Sequence, residues 1–298
     1  MSTGEIALGG IVTRPKPSLI RQALRLMRKY PLGTFGVACI VVIGLTALFA
    51  PLLTPYSPVD SSFGVLKQPS QAHPLGTDRA GRDVLSRVIW GGRTSLSIGI
   101  IVSVFSAFHA TLLGMIAGYY QRWPDYLIQR GSELLGMMPN LLILFMFVFA
   151  FGPGFNTLVV AMTLPNAFGA SRVIRAAIIR EKQSQYVEAT MALGAGHWRI
   201  MLRHLLPNVL DLAVVQISIS IGGVILGEAA LSFLGLGIPP PTPSWGADIG
   251  GQARTYFRNA PWLALAPGTM LSLTVLGVSL FGDALRDHMD PRLRRRGR

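Results

Sequence analysis

Glu188-Ala189-Thr190-Met191-Ala192-Leu193-Gly194, continuing through Ala195 to Leu206-Pro207, is a polar, basic stretch set between long apolar segments. Those surroundings decide the fold class. The chain of 298 residues is 50% hydrophobic and only 14% charged, against about 25% charged in soluble domains. Its charges are clustered, so long windows carry none. The chain therefore reads as an integral membrane protein.

The net charge of +13 does not indicate nucleic acid, because the arginines flank apolar spans and form no soluble basic face. The single cysteine, Cys39, excludes an intramolecular disulfide and reads as a small buried hydrophobe. The apolar window after Lys29 is too long for a signal-peptide core and lacks a small-residue cleavage site. It reads as a retained first span.

About 20 apolar residues cross a hydrocarbon core of ~30 Å. Residues 1–32 form a polar tail, in which Arg21 to Lys29 could lie as a surface amphipathic helix. No charge occurs from Tyr30 to Val59, which places the first span at 33–53. Asp83 to Arg93 reads as a helix leading into a second span at 95–118, which contains His109. The 38 uncharged positions from Leu134 to Ser171 are too many for one helix at ~1.5 Å per residue. Gly152-Pro153-Gly154 divides them into spans 134–151 and 155–171.

The fifth span, 208–233, is expected to start after Pro207, since proline suits a first helical turn. Only 16 uncharged residues separate Asp211 from Glu228, about 24 Å of helix. One of these acids must therefore face an interface or a wet interior. The segment from Gly237 to Gly246 is too rich in proline for helix interior, and a sixth span follows at 261–281. Residues 283–298 form a basic tail. The whole reads as six transmembrane helices in an all-α membrane protein.

Six spans place both termini on one side. That side carries 20 Lys and Arg and the other 7, so the positive-inside rule puts the termini and the loop 172–207 in the cytoplasm. Within that loop, Glu181 to Leu193 is predicted to form one short helix and Trp198 to Leu206 a second, with Gly194-Ala195-Gly196 as the turn. A short helix of small residues suits a groove on another protein. An ordinary hairpin lying on the bilayer would share this pattern.

The spacing Glu188-Ala189-Thr190, three residues, Gly194, nine residues, His204, then Leu206-Pro207 resembles the cytoplasmic signature loop of ABC-importer permeases. That loop reads E-A-A, three residues, G, nine residues, I, one residue, L-P. Thr190 and His204 depart from it. Three further strings resemble the C-type subunit of the dipeptide/oligopeptide/nickel branch. They are Leu75 to Asp83 with Ser86-Arg87, Leu231 to Gly237 with Pro243-Ser244-Trp245-Gly246, and Gly282 to Asp287 with Asp290-Pro291-Arg292.

The resemblance implies a type I importer permease fold in a bacterial inner membrane. It also implies pairing with a B-type permease, two cytoplasmic ATPases that use ATP and Mg, and an extracytoplasmic solute-binding protein. This chain would bind no cofactor itself, and it has no G-x-x-x-x-G-K-[ST] phosphate loop. The hairpin would be a coupling helix, with Glu188, Ala189, Thr190, Gly194, His204, Leu206 and Pro207 as its contact residues. Asn140, Asn166, Gln216 and Glu228 are candidates for the solute path, although each could equally be a bond between helices. Arg79, Arg82, Pro243 and Trp245 are candidates for docking the binding protein. The solute itself, among peptides, nickel, opines and glutathione, stays open.

An ion-coupled secondary transporter is the alternative. It predicts titratable groups near mid-membrane and an inverted repeat, and only His109 qualifies. A membrane-embedded enzyme is disfavoured, since no H-E-x-x-H or G-x-S-x-G string occurs.

Overall fold

The computed structural model describes residues 28–289. The expectations for residues 1–27, for the basic tail beyond 289 and for Asp290-Pro291-Arg292 lie outside the described residues. Among the described residues every regular element is helical, apart from one isolated bridge between Thr77 and Asp83. Five helices are long and apolar enough to cross a membrane, and a bent pair supplies a sixth.

Helix α1 (Pro31–Leu48) starts on a proline, whose missing N–H costs nothing in a first turn. The short α2 (Ala50–Leu53) follows. Helix α3 (Val84–Tyr120) is longer than the predicted span 95–118. Asp83 caps it, accepting from Ser86 N at 2.8 Å.

The third span is corrected. In place of a straight helix over 134–151, α4 (Arg122–Met137) and α5 (Asn140–Phe151) meet at a 95° bend. The cause is Pro139, which lacks an N–H and pushes Met138 to φ −89, ψ 135. Gly152-Pro153-Gly154 turns the chain as expected, with Gly152 at φ +80. Helix α6 (Phe155–Lys182) then runs through Pro165 and beyond the predicted end at 171.

The hairpin also differs from the expected pair of helices. Its first arm, α7 (Gln185–Ala192), is separated from α6 by a break at Gln183-Ser184. Its second arm is no separate helix. From α8 (His197–Ile200) the chain passes through a π turn at Met201–Leu205 into α9 (Leu206–Phe233). The wider turn bonds Leu206 N to Met201 O, and it carries the helix past Pro207 where a regular turn would meet the proline ring. After the short α10 (Trp245–Gly250) and α11 (Gln252–Tyr256), α12 (Trp262–Met289) closes the described chain.

Helix α3 is the central strut, packed along α6 and crossed by α9, while α1 lies against α12 and α12 against α9. Close approach needs small residues. A Cβ on Gly114 or Gly118 would stand 2.7 or 2.8 Å from the Cβ of Ile174 or Ile178 on α6. Outward-facing Leu32, Val42, Phe108 and Phe149 are exposed, as a lipid-facing surface permits. Tyr30 and His288 stack edge-on at 6.3 Å between ring centroids. Gly282 approaches Ser218 and Gly222 approaches Val275, so α9 and α12 are antiparallel. Both ends of the described chain therefore lie at the same face as the hairpin.

Candidate functional site

The hairpin has a buried base and an exposed tip. Val187, Ile200, Met201 and Leu205 pack with Met115, Tyr119, Ile174 and Ile178 in one apolar cluster, which ties the hairpin to the ends of α3 and α6. Polar contacts reinforce it. Lys182 Nζ donates to Tyr119 O at 2.7 Å, and Tyr119 Oη lies 2.7 Å from His197 Nδ1. Tyr186 Oη donates to Glu181 Oε1 at 2.8 Å and accepts from Asn208 Nδ2 at 2.8 Å. Burial, helped by the bond to Glu181, pushes the Tyr186 hydroxyl above its usual pKa.

Gly194, at φ +82, ends α7. Gly194 N bonds Met191 O, and Ala195 N bonds Thr190 O, the paired bonds of a Schellman turn. A side chain at this φ would be strained. Glu188, Ala189, Ala192 and Leu193 face outward, Leu193 at 89% exposure and Trp198 at 64%. Glu188, Ala189 and Gly194 are thus brought together at the tip. His204, Leu206 and Pro207 lie at the base on the helix continuous with α9, and Thr190 is half-buried with its hydroxyl bonded to Tyr186 O.

A second site lies inside the helices. The α4–α5 break and Pro165 border one cavity of about 490 Å³, lined among others by Asn140, Asn166, Arg172, Gln216 and Ser220. Its size is that of a small-ligand site. Interrupted helices at membrane depth are tolerated where they line a cavity, because water or solute can take up the freed backbone groups. Three of the four predicted path residues meet here.

Glu228, the fourth, does not. It is fully buried away from the cavity, where it accepts from Ser232 Oγ at 2.7 Å and Ser95 Oγ at 3.1 Å. It is a tie between α9 and α3, and the position as a path residue is corrected on that ground. His109 is exposed and bonded within its own helix, Nδ1 to Phe105 O at 2.7 Å, so it occupies no interior relay.

The far face is built around buried charge. Asp78 accepts from Ala80 N, Arg82 N and Arg82 Nε at 2.8, 2.9 and 2.7 Å. Arg87 reaches from α3 to Asp248 on α10 and also donates to Pro58 O and Pro241 O. Burial pushes the Asp248 carboxyl up, against the pull of Arg87. Trp245 is wholly buried, with Nε1 donating to Val88 O at 2.9 Å, and Pro243 is buried beside it. These two were expected on a docking surface. Their burial makes them the inner packing of the loop, because an aromatic wedge with its N–H satisfied is a core group. Arg79 is exposed and lies over the Tyr256 ring, and Arg82 is held by Asp78.

Arg172, Trp198 and the Arg87–Asp248 pair escaped the sequence reading. The two partners of that pair are 161 positions apart, and although Arg87 stands in a family-like string, nothing local marks Asp248 as its partner.

The family model described as "Binding-protein-dependent transport system inner membrane component" matches residues 110–295. That described as the N-terminal TM domain of oligopeptide transport permease C matches residues 18–71. The chain is 36% identical over 275 residues to the dipeptide transport system permease protein DppC of Alkalihalophilus pseudofirmus, covering 92% of this chain and 90% of that one. It is 37% identical to the glutathione transport system permease protein GsiD of Pectobacterium atrosepticum, covering 91% and 90%. It is 32% identical to the oligopeptide transport system permease protein OppC of Bacillus subtilis, covering 95% and 93%.

Proposed function

Because the chain belongs to the family of binding-protein-dependent transport system inner membrane components, we propose that it forms one half of a peptide path, driven by ATPases seated on its hairpin. The observation that carries this reading is the hairpin, an exposed tip of small residues on a base locked to α3 and α6. A push at the tip is delivered to the two helices that flank the cavity. Peptides are supported by relatives named for dipeptides, oligopeptides and glutathione.

The partners in this reading are a B-type permease closing the cavity, two ATPases holding ATP and Mg on the hairpin side, and a binding protein on the other. The excess of Lys and Arg on the hairpin side supports its placement in the cytoplasm of a bacterial inner-membrane protein. Arg79, exposed on the far face, remains the docking candidate there. Glu188 offers its carboxylate to cationic or N–H groups of an ATPase groove.

The test is Glu188→Arg in the assembled transporter. It is expected to abolish binding-protein-stimulated ATPase activity and uptake while membrane insertion stays normal. Stimulation and uptake at wild-type levels would show that the hairpin does not couple.

A further inference from the structure

Helix α6 carries two arginines one turn apart, and their partners differ. Arg175 is clamped by Asp125, with Nε to Oδ1 and Nη2 to Oδ2 both at 2.5 Å. Arg172 has no carboxylate within ion-pair distance among the described residues. Its Nε donates to Ser132 Oγ at 2.8 Å, and that hydroxyl donates its own proton to Phe168 O at 3.0 Å. The guanidinium is thus fixed at one edge, and its terminal nitrogens have no acceptor among the described residues. Glu133, next to Ser132, is taken by Arg130 at 2.7 Å.

Among the described residues, Arg172 is also the one charged residue lining the 490 Å³ cavity, whose other polar residues are Ser, Asn and Gln. Gly136 keeps the guanidinium uncovered, since even a Cβ there would stand 3.9 Å from Nη2. A planar fork of N–H donors matches a carboxylate in two parallel bonds, and Arg172 is exposed on the cavity wall and so open to one. On the same wall Asn166 Nδ2 donates to Met162 O at 2.9 Å. Its carbonyl oxygen is left as an acceptor, suited to an ammonium group.

We infer that Arg172 receives the C-terminal carboxylate of a short peptide as it passes the cavity, with Ser132 as the residue that positions it. This rests on reading the chain as half of a peptide path, and it assigns to that path a residue specific for free-acid substrates. Arg172 would make it selective for zwitterionic peptides over C-terminally blocked ones.

The experiment compares uptake of trialanine and trialanine amide by the assembled transporter, with its own ATPases and binding protein, in proteoliposomes. Any preference of the binding protein is common to all variants and cancels between them. Arg172→Gln is expected to lower trialanine uptake at least tenfold and amide uptake less than twofold. Arg172→Lys should keep trialanine uptake within threefold of wild type.

Equal losses for both peptides, or no loss for either, would overturn the inference. Should wild type not carry the amide, equilibrium dialysis of each peptide against the permease–ATPase complex without its binding protein makes the same comparison. There, trialanine binding to Arg172→Gln should fall tenfold, and unchanged binding would overturn the assignment. Absence of ATP-dependent uptake by the wild-type assembly would instead strike at the underlying function.

Discussion

Arg87 and Asp248 show what single residues contribute when the sequence gives no hint of their pairing. Their side chains retain only 6% and 16% exposure, and their charges tie the top of α3 to the loop helix α10. Removing one partner of a buried pair strands the other, at a cost of about 3–5 kcal/mol, whereas replacing both with apolar groups is close to neutral. Arg87→Met is therefore expected to destabilise by about 3 kcal/mol, and Arg87→Met with Asp248→Leu should recover most of the loss. Denaturant titration of the detergent-solubilised protein, followed by circular dichroism, checks the cycle. The glycines of α10 set its contact with α9 sterically, since a Cβ on Gly246 would stand 2.4 Å from Ala229 Cα. By contrast Glu188, Ala189 and Gly194 were legible as residues, because the hairpin tip is local and its spacing survives in one dimension.

At the scale of elements, the helices were legible and their breaks were not. Uncharged windows locate apolar helices well because burial in lipid requires runs without charge. They do not say whether a run is straight. Pro139 lies within the window 134–151 without interrupting its apolar run, and it turns one expected span into two arms at 95°. Trp123 and Phe149 lie in the two arms and are exposed. A straight helix would separate their Cα atoms by about 39 Å, and a right-angle break shortens that by about a third. Pro139→Ala is expected to lengthen the distance between spin labels at these positions toward the straight value. It should also lower uptake while leaving stimulated ATPase activity intact, because the break borders the cavity and the hairpin does not depend on it. The π turn at Met201–Leu205 was equally hidden, since it answers to a conflict between Pro207 and a helix that tertiary packing keeps continuous.

For the whole molecule, the described chain begins and ends at the face that carries the hairpin, and the charge asymmetry predicts that this face is cytoplasmic. The single native cysteine makes the assignment easy to test. In a Cys39→Ser background, Val65→Cys on the far face should react with a membrane-impermeant thiol reagent in intact cells. Leu193→Cys, at the hairpin tip, should react only after permeabilisation. The opposite pattern would invert the orientation. Both positions are well exposed, at 62% and 89%, so a lack of labelling reports sidedness and not burial.

The sequence by itself determined that this is a membrane protein of about six helices, with a polar hairpin whose spacing marks an importer permease. Those properties depend on local composition and on intervals along the chain. Only the tertiary structure decided which polar groups share a cavity, that Asn140, Asn166 and Gln216 meet Arg172 there, and that Glu228, Pro243 and Trp245 are spent on packing. Those outcomes depend on helix rotation and on where helices break, which are fixed by contacts between segments far apart in the chain.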